Sequence, residues 1–504
     1  MKSARITRTG NAILVTSGDG GALHRDTYAP LLPFMSYVHI THLRGRAAWV
    51  TGTHIPISTE VRRLYSITDE GILTCPAGYR DRVYTSLKAA GYFVEMYDDP
   101  PRRRPGVLVA DRRRLYDLFL SKVDLRYRQD ECLDAAISRI ERGLGGCVKA
   151  VAGYGKSFLV AALATAFPKA RVAVAVPGVD VLRKTADECA VYIPSVGVVG
   201  DGEKTFARVT CYSMQSIHHL HENTDILLVD EAHRFLTDKT TEALGNVIND
   251  AVPFGLSASL GARSDGADAL LEAIFGPIVF ELGWVEAIAN SVVVPIKVVW
   301  HRVRSCDTSL DGLFDTKLQR AAIWCNSVRN RTIAAVARKV PADEQTLIFV
   351  ATTEHAANLA ALLPDYELCY GTYEADKFAK YVAQGLLPAD HVRLDKAYRA
   401  KLRKGFMDGS VKKVIATDVW STGVSFNNLA NLIRADGRVS EVLAEQIPGR
   451  ASRISEGKSC GIVHDFDDSF SGWSEFRTQK RRASYKSRSW VQSWADDEEP
   501  ERGR

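Results

Sequence analysis

No long hydrophobic run is present in the 504-residue sequence. Crossing a bilayer takes roughly 18 consecutive apolar residues, and no apolar stretch reaches that length. The first residues, Met1–Arg5, lead into no apolar segment of the signal-peptide kind. We therefore expect a cytoplasmic protein with no membrane partner.

Paired cysteine motifs are also absent. The nine cysteines include no Cys-x-x-Cys pair, which disfavours a zinc site. Cys147, Cys211 and Cys369 lie in apolar, strand-like segments. These positions predict buried free thiols in a reducing compartment rather than disulfides.

The chain has no internal repeat and no low-complexity tract, and its net charge is only +5. The charge is unevenly placed, because residues 1–120 hold 17 Lys and Arg against 11 Asp and Glu. Basic ends of this kind suit a polyanion, although charge runs are more often solvated surface. A second basic island, followed by the acidic run Asp496–Glu499, comprises Arg477, Lys480, Arg481, Arg482, Lys486 and Arg488.

The composition is that of an ordinary globular protein, with 46% apolar and 25% charged residues. The length allows about two to four domains. The proline- and arginine-rich stretch Pro100–Pro105 marks a first boundary. We expect strands at Ala12–Val15 and Ala47–Val50 and a helix at Arg82–Ala90 in the N-terminal part. The expected divisions are an N-terminal accessory domain (1–100), a linker (101–124), a first α/β domain (125–288), a second α/β domain (289–470) and a tail (471–504).

Apolar strands alternate with helical segments from about residue 125 onward. Runs that are apolar on consecutive residues are typical of parallel strands covered on both faces. The expected fold class is α/β, with two tandem parallel-sheet domains, a small N-terminal α/β domain and a short basic and aromatic C-terminal tail. The predicted strands are Cys147–Val151, Arg171–Val176, Ile226–Val229, Phe254–Ser257, Leu347–Val350, Val414–Ala416, Leu432–Ala435 and Cys460–His464.

Ala150–Ser157 has the composition of a phosphate-binding loop between a predicted strand and a predicted helix. Gly153 and Gly155 permit the turn that directs successive backbone N–H groups at a β-phosphate. Lys156 supplies a positive charge to the β- and γ-phosphate oxygens, and Ser157 offers a hydroxyl to Mg²⁺. The segment predicts a nucleotide site that takes ATP with Mg²⁺.

An acidic box, Asp230–His233, ends the apolar strand Ile226–Val229. Carboxylates in this position emerge at the C-terminal edge of a parallel sheet. Asp230 is placed to hold Mg²⁺, and Glu231 to orient and deprotonate the attacking water. His233 is expected to couple hydrolysis to movement, and the alternative is an ordinary surface histidine.

A later motif, Gln446–Arg453, carries two arginines three residues apart, which predicts one shared helix face for Arg450 and Arg453. A planar guanidinium stabilises charge spread over the γ-phosphoryl oxygens better than an ammonium does. We expect Gln446 to contact the nucleotide as well. With the phosphate loop, this motif predicts ATP held between two domains, so that hydrolysis makes and breaks an interface.

Together these motifs resemble those of the superfamily 2 helicases, whose tandem RecA-like domains form an ATP-driven motor. The matching segments are Leu125–Gln129, Val176–Gly178, Thr210–Ser213, Asp230–His233 (a DEAH box), Gly255–Ser259, Ala416–Asp418 and Ser421–Ser425. The resemblance implies that Gln129 contacts adenine, Gly423 contacts the nucleotide, and Ser257 and Ser259 couple hydrolysis to movement. It implies nucleic-acid contacts for Pro177, Gly178, Thr210, Thr352, Thr417 and Thr422.

Within the superfamily, Ser421–Leu429 and Cys75–Asp99 are similar to segments of phage UvsW-like helicases. Ser259 and Leu260 depart from the usual Thr-Pro pair, and Pro448 is unusual unless it lies in the first turn of a helix. The resemblance implies a monomeric ATP-dependent DNA helicase or translocase that remodels branched DNA in recombination or repair, in a bacterial or phage-infected cytoplasm. A duplex-tracking translocase without unwinding, an RNA helicase and an ATP-gated nucleic-acid clamp stay open as alternatives.

Both ends of the chain carry candidate nucleic-acid contacts with an alternative interpretation. The tail interleaves aromatic and basic residues, which either stack on bases or pack as a helix against the second α/β domain. The N-terminal arginines either contact duplex backbone or simply make a basic domain. These arginines are Arg44, Arg46, Arg62, Arg63, Arg80 and Arg82.

Overall fold

The structure is a computed structural model, and it divides into two compact units. The first comprises the described parts of Met1–Ile40 and Ser58–Gly283, and the second those of Thr41–Ile57 and Trp284–Arg504. The described residues are 2–42, 56–98, 106–221, 223–236, 251–258, 268–371, 375–387, 396–417, 420, 426, 428–439 and 445–495.

The N-terminal segment forms a mixed sheet in the order β5-β6-β2-β1-β7, in which β1 and β7 are parallel and the other pairs antiparallel. Alternate residues of β1 and β2 are buried, as expected for a sheet covered on one face. The helices here are Arg25–Tyr28 and Arg80–Ala89. The strands are β1 (Ser3–Thr9), β2 (Ala12–Ser17), β3 (Ser36–His42), β4 (Pro56–Arg63), β5 (Ser66–Ile67), β6 (Leu73–Pro76) and β7 (Phe93–Asp98), of which β3 and β4 pair separately.

A parallel sheet follows in the first unit, in the order β11-β10-β12-β9-β13-β14-β8-β15 over the described residues. Its pairs are parallel apart from the short strand β11. The helices are Arg112–Leu118, Gln129–Glu141, Lys156–Ala166, Val179–Ala190 and Asp268–Phe275. The strands are β8 (Gly146–Ala150), β9 (Val172–Val176), β10 (Val196–Gly200), β11 (Glu203–Lys204), β12 (Val209–Ser213), β13 (Ile226–Asp230), β14 (Val252–Ser257) and β15 (Ile278–Leu282).

The second unit contains a fully parallel sheet, in the order β18-β19-β17-β20-β21-β16-β22 over the described residues. Its strands are β16 (Ile296–Arg302), β17 (Thr346–Phe349), β18 (Glu367–Cys369), β19 (Lys413–Ala416), β20 (Asn431–Arg434), β21 (Gly461–Asp467) and β22 (Val491–Trp494). The helices are Trp284–Ala289, Asp315–Gln319, the π-helix Arg320–Trp324, Ser327–Lys339, Thr353–Ala360, Ala375–Ala383, Lys396–Asp408 and Gly472–Ser487.

The predicted fold class is confirmed, because the chain is α/β with two large parallel sheets. All eight strands predicted for these sheets overlap observed ones. The predicted helix near Arg82 begins at Arg80, and the predicted strand Ala47–Val50 lies outside the described residues. Cys147, Cys211 and Cys369 are buried free thiols, as expected. None of the described helices has the length and hydrophobicity needed to cross a membrane.

The C-terminal segment is built into the second unit. Strand β22 pairs with β16 as an edge strand, and the helix Gly472–Ser487 covers the sheet. Its aromatic side chains Trp473 and Tyr485 are buried, as is Trp490 beyond the helix. For these three residues the structure shows the packing alternative.

Buried ion pairs attach this helix to the sheet. Arg481 is 1% exposed and donates to the carboxylate of Asp465 at 3.2 Å. Tyr485 donates to Asp465 at 2.6 Å and accepts from Arg434 at 2.6 Å. The complete cluster comprises Arg329, Arg434, Arg481, Asp436, Asp465, Asp468 and Tyr485. Arg329, Arg434 and Arg481 are therefore paired with Asp436, Asp465 and Asp468 in and after strands β20 and β21.

Candidate nucleotide site

The phosphate loop has the backbone geometry that its glycines predict. Strand β8 enters the loop, and the helix Lys156–Ala166 leaves it. Gly153 and Gly155 have φ angles of 93° and 97°, in the left-handed region that favours glycine. A Cβ added to Gly155 would also lie 2.9 Å from the Gln129 amide nitrogen. Both backbone conformation and space thus require glycine at position 155.

The side chain of Gln129 stabilises the backbone of this loop through hydrogen bonds. Its side chain is buried, its Nε2 donates to the Tyr154 carbonyl at 2.7 Å, and its Oε1 accepts from the Arg126 N–H at 2.9 Å. The Arg126 guanidinium in turn donates to the Gly153 carbonyl. Gln129 therefore fixes the loop backbone, and its contact with adenine stays a prediction.

Tyr154 is a residue of the site that the motif alone did not indicate. The ring is buried and stacks on Phe280 with a centroid distance of 5.7 Å, while the Arg128 guanidinium lies 4.9 Å from the Phe280 centroid. Burial raises the pKa of the Tyr154 hydroxyl. The stacking thus attaches the loop to strand β15. In the sequence, the one indication of this contact is an aromatic residue between two glycines.

The electrostatics of Asp230 fit a cation site. Burial and, to a smaller extent, the neighbouring Glu231 carboxylate raise the pKa of the Asp230 carboxyl to about 7, although the positive charge of Lys156 opposes both effects. Lys156 itself donates to the Ala150 carbonyl at 3.2 Å. Because a positive charge favours the ionised carboxylate, a divalent cation beside Asp230 would complete the local charge balance. The described residues hold no cluster of three His, Cys, Asp or Glu, so any cation here would rely on few protein ligands.

Glu231 adopts an unusual backbone conformation for a residue with a side chain. Its φ is 50°, and its N–H donates to Asp230 Oδ1 at 3.0 Å. Left-handed backbone in a non-glycine residue costs free energy and is concentrated at functional sites. The unusual backbone conformation thus falls directly after Asp230, between the two carboxylate residues of the acidic box and His233.

His233 is buried rather than on the surface, so the alternative of a surface histidine is wrong. Its Nδ1 lies 2.6 Å from the Ser257 hydroxyl and 3.6 Å from a Glu231 carboxylate oxygen. Ser257 ends β14, which lies between β13 and β8. The structure thus brings together Glu231, His233 and Ser257, and their coupling role stays a prediction. Ser259 lies outside the described residues.

The predicted nucleic-acid contacts of the first unit lie at two different places. Pro177 and Gly178 follow the end of β9, directly before the helix Val179–Ala190. Thr210 pairs in register with Ala173 near the start of β9, and its hydroxyl bonds the backbone of Ala207. The structure therefore does not bring Thr210 to the sheet edge where Pro177 lies.

The predicted contacts of the second unit that fall on described residues share one sheet edge. Thr352 caps the helix Thr353–Ala360 by accepting from the His355 N–H, and it follows β17. Thr417 follows the neighbouring strand β19. Both threonines therefore lie at carboxyl ends of adjacent strands, while Thr422 and Gly423 lie outside the described residues.

The arginine motif forms a single 3-10 turn instead of the expected α-helix. The turn covers Pro448–Arg450, with Pro448 at its first position, and Arg453 lies beyond it. Proline has no N–H to donate, and the Ser452 hydroxyl bonds the Gly449 carbonyl at 2.7 Å. The expectation of one helix face shared by Arg450 and Arg453 is therefore wrong. Gln446 and Arg450 are buried.

Glu445 holds this motif from its N-terminal side, a role that the sequence pattern did not indicate. One carboxylate oxygen accepts from the Trp284 indole at 3.1 Å, and the other lies 3.3 Å from the Arg488 guanidinium. Glu445 is only 6% exposed. On the other side, Ser452 accepts a backbone hydrogen bond from Val294.

Two of the N-terminal arginines expected to meet duplex backbone are used inside the first unit. Arg82 makes a bidentate ion pair with Glu272, at 2.8 and 2.6 Å, and lies over the Phe34 ring. Arg80 pairs with Asp98 at 3.1 Å. Arg62 pairs with Glu60 at 3.6 Å, Arg63 is exposed, and Arg44 and Arg46 lie outside the described residues.

Comparison with known proteins agrees with the motifs. Residues 122–261 match the family described as "Type III restriction enzyme, res subunit". "Putative helicase 22" of the Sulfolobus islandicus filamentous virus is 21% identical over 385 residues, covering 70% of this chain and 66% of that protein. "DNA 3'-5' translocase XPB2" of Sulfurisphaera tokodaii is 22% identical over 332 residues, covering 61% of this chain and 74% of that protein.

Two solved structures match the chain, and the first supports its fold. S. cerevisiae Dbp5 bound to RNA and ADP BeF3 matches 78% of this chain and 96% of that chain, with a TM-score of 0.53 and 14% identity. T4 UvsW matches 98% of this chain and 99% of that chain, with a TM-score of 0.40 and 18% identity. The match to Dbp5 identifies the two parallel sheets as tandem RecA-like folds. The chain is thus similar to superfamily 2 helicases, and the predicted resemblance to them is confirmed.

Proposed function

We propose that the chain is an ATP-dependent DNA helicase or translocase that remodels branched DNA in recombination or repair. The observation that carries the proposal is the arrangement around the phosphate loop. There a left-handed glycine loop, Lys156 and a buried Asp230 lie together, and His233 links the acidic box to Ser257. These are the parts needed to bind ATP and to pass a change at the γ-phosphate to the neighbouring strand.

Each part has a chemical role in this proposal. Lys156 binds the β- and γ-phosphate oxygens, and Ser157 and Asp230 would hold Mg²⁺. A bound Mg²⁺ supplies positive charge to those phosphate oxygens. Glu231 orients the attacking water and accepts its proton, and Arg450 with Arg453 stabilises charge on the γ-phosphoryl group. Because Arg450 lies in a 3-10 turn fixed by Glu445 and Ser452, its position is set by the fold of the second unit.

Two observations favour DNA as the substrate: the name of one relative and the similarity of two segments to UvsW-like helicases. XPB2 is named a DNA translocase, and UvsW-like segments were found in the sequence. Dbp5 was solved with RNA, so RNA is the alternative that a test must include. A translocase that tracks duplex without unwinding is a second candidate, favoured by the XPB2 name.

The experiment is steady-state ATP hydrolysis with four effectors in parallel: single-stranded DNA, linear duplex, a forked or four-way junction, and single-stranded RNA. We expect the junction to stimulate hydrolysis most. Lys156→Ala should be inactive under every condition and controls for contaminating ATPases. Stimulation by RNA alone would overturn the DNA assignment, and a junction-stimulated enzyme that displaces no strand would be a translocase.

A second test addresses the chemistry. Glu231→Gln keeps the size of the side chain but removes the proton acceptor, so we expect ATP binding to persist while turnover falls about a hundredfold. Binding is measured with a fluorescent ATP analogue and turnover by phosphate release. Turnover within twofold of the wild type would remove Glu231 from the proposed chemistry.

A further inference from the structure

A cavity of about 470 Å³ lies in the first unit, away from the phosphate loop. It is lined by the start of β2 and the end of β6 on one side, and by Gly145, Pro253 and Gly276 on the other. These three residues lie at the amino ends of β8, β14 and β15, whereas the phosphate loop follows the carboxyl end of β8. At about 3.3 Å per residue, β8 places the two sites roughly 15 Å apart.

The cavity lining has a net positive charge. Four arginines line it, Arg8, Arg63, Arg80 and Arg139, against a single lining carboxylate, that of Asp81. Burial lowers the pKa of the Arg8 guanidinium, Asp98 opposes that shift, and the nearby charge of Arg80 adds to it. The first turn of the helix Arg80–Ala89 also contributes its positive end. This environment favours an anionic ligand.

Three of these arginines are preorganised by the protein. Arg8 donates to the Gly143 carbonyl at 2.9 Å, and Arg139 donates to the Gly145 carbonyl at 2.7 and 3.0 Å. Arg80 also pairs with Asp98, and Arg139 with Asp81, so the charges of these two guanidiniums are balanced and the net positive charge comes from Arg8 and Arg63. Arg63 is different, because it is exposed and pairs with no other described residue. It is therefore the arginine with the most donors left for a ligand.

A second part of the cavity lining is apolar. Leu144, Leu270, Ile274 and Phe275 contribute to it, and Phe275 is 1% exposed. Small-molecule sites typically measure about 300–1,000 Å³ and combine an apolar wall with a few directed polar groups. Guanidinium groups match phosphate geometry and stack on planar rings. The ligand that fits both walls has a flat, weakly polar body and a phosphate.

We infer that this cavity binds a nucleoside phosphate, with the base against the apolar wall and the phosphate among the arginines. The ligand is either a free nucleotide or one nucleotide of a DNA strand. The second source rests on the proposed function, whereas the first does not. The site is separate from the phosphate loop and shares strand β8 with it.

The test is isothermal titration calorimetry of the full-length chain with dTMP, in a Lys156→Ala background that weakens the phosphate loop. A pyrimidine is used because the expected adenine contact of Gln129 would not select it. We expect one dTMP site per chain. Arg63→Ala removes the exposed guanidinium, and Ser66→Trp fills the cavity from an exposed lining position. Each should weaken dTMP binding about tenfold or more, the order expected for losing a charge-assisted hydrogen bond.

The matched control is Arg25→Ala, which removes an equally exposed arginine of the same segment that does not line the cavity. Its dTMP affinity should be unchanged. The inference is overturned if the Lys156→Ala chain binds no dTMP, or if both cavity variants bind dTMP as the control does.

Competition by a four-nucleotide single-stranded DNA distinguishes the sources of the ligand. Displacement of dTMP by this oligonucleotide assigns the site to DNA, and dTMP binding without displacement assigns it to free nucleotides. ATP hydrolysis is measured separately in chains with Lys156 intact. A chain that binds dTMP but never hydrolyses ATP would remove the proposed function and leave the cavity site standing.

Discussion

Gly153, Gly155 and Glu231 of the nucleotide site have left-handed backbone, and its free-energy cost differs between the glycines and the glutamate. Glycine adopts this conformation without steric cost, whereas a residue with a Cβ loses about 1–2 kcal/mol. Glu231 is held in place by the N–H bond to Asp230 and by the buried His233 beside it. The backbone of the acidic box is thus locally strained, and the packing of strand β13 holds it in this conformation.

Gly155→Ala should impair the site specifically. The added methyl meets the Gln129 amide at 2.9 Å and is unfavourable at a φ of 97°, so we expect a loss of about 1–3 kcal/mol in nucleotide binding. ADP affinity and the thermal midpoint are measured together. Gly283→Ala is the control, because nothing lies within 4 Å of an added Cβ there. Equal ADP affinity in both variants would contradict the tight fit inferred for this loop.

His233 and Ser257 should act as a pair. A double-mutant cycle with His233→Asn and Ser257→Ala is expected to show a coupling energy of about 0.5–3 kcal/mol in DNA-stimulated turnover, as found for residues in contact. Basal hydrolysis should change less than stimulated hydrolysis if the pair transmits movement. Strictly additive single effects would mean that the 2.6 Å contact transmits nothing.

At the scale of elements, the helix Gly472–Ser487 is held by charge as well as by apolar packing. Arg481 enters the sheet face beside Asp465 and Asp468, and all three are buried. A buried pair contributes little against an apolar substitute, but removing one partner leaves an uncompensated charge. The helix Gly472–Ser487 is therefore needed by the sheet that it covers.

Arg481→Met should destabilise the second unit. Leaving Asp465 and Asp468 without this partner costs about 3 kcal/mol or more, which lowers the thermal midpoint by roughly 6–12 °C. Lys480→Met changes the adjacent, exposed residue of the same helix and should leave the midpoint nearly unchanged. Calorimetry of both variants makes the comparison, and indistinguishable midpoints would contradict the structural role of the ion pair.

Glu445→Gln should separate nucleotide binding from hydrolysis. The amide oxygen still accepts from Trp284, but the charge that holds Arg488 is lost, so the arginine motif is positioned less firmly. We expect unchanged ATP affinity and a turnover reduced about tenfold, the order expected for one misplaced charge-assisted hydrogen bond. The control is Arg113→Met, which breaks the exposed pair with Asp117. If Glu445→Gln matches this control, the brace is only structural.

Local pattern was enough to predict the strands, because consecutive apolar residues such as Ile226–Val229 carry their own signal. The same holds for the phosphate loop and acidic box, whose residues are adjacent in sequence. The Arg82–Glu272 pair joins positions 190 residues apart, and Glu445 meets Trp284 across 161 residues. Contacts between residues so far apart in the sequence cannot be predicted from a local sequence pattern. The sequence does not reveal the 3-10 turn at Pro448, because a spacing of three residues also fits one face of an α-helix.

For the whole molecule, the location of positive charge matters more than its amount. Residues 1–120 carry the excess of basic residues, yet Arg80 and Arg82 neutralise carboxylates within the first unit. The charge left for a polyanion is therefore smaller than the sequence count. In this part of the described chain it includes Arg63, at the cavity between the N-terminal sheet and the parallel sheet.

The interface between the N-terminal segment and the helix Asp268–Phe275 of the first unit has a consequence for evolution and protein engineering. Tyr79 donates to the Ala269 carbonyl at 2.9 Å, and a Cβ on Gly78 would lie 1.8 Å from the Glu272 carbonyl oxygen. A surface this closely matched does not tolerate a foreign counterpart. The N-terminal segment and the ATP-binding sheet should therefore be inherited together, and a chimera that exchanges one between relatives will need the other from the same parent.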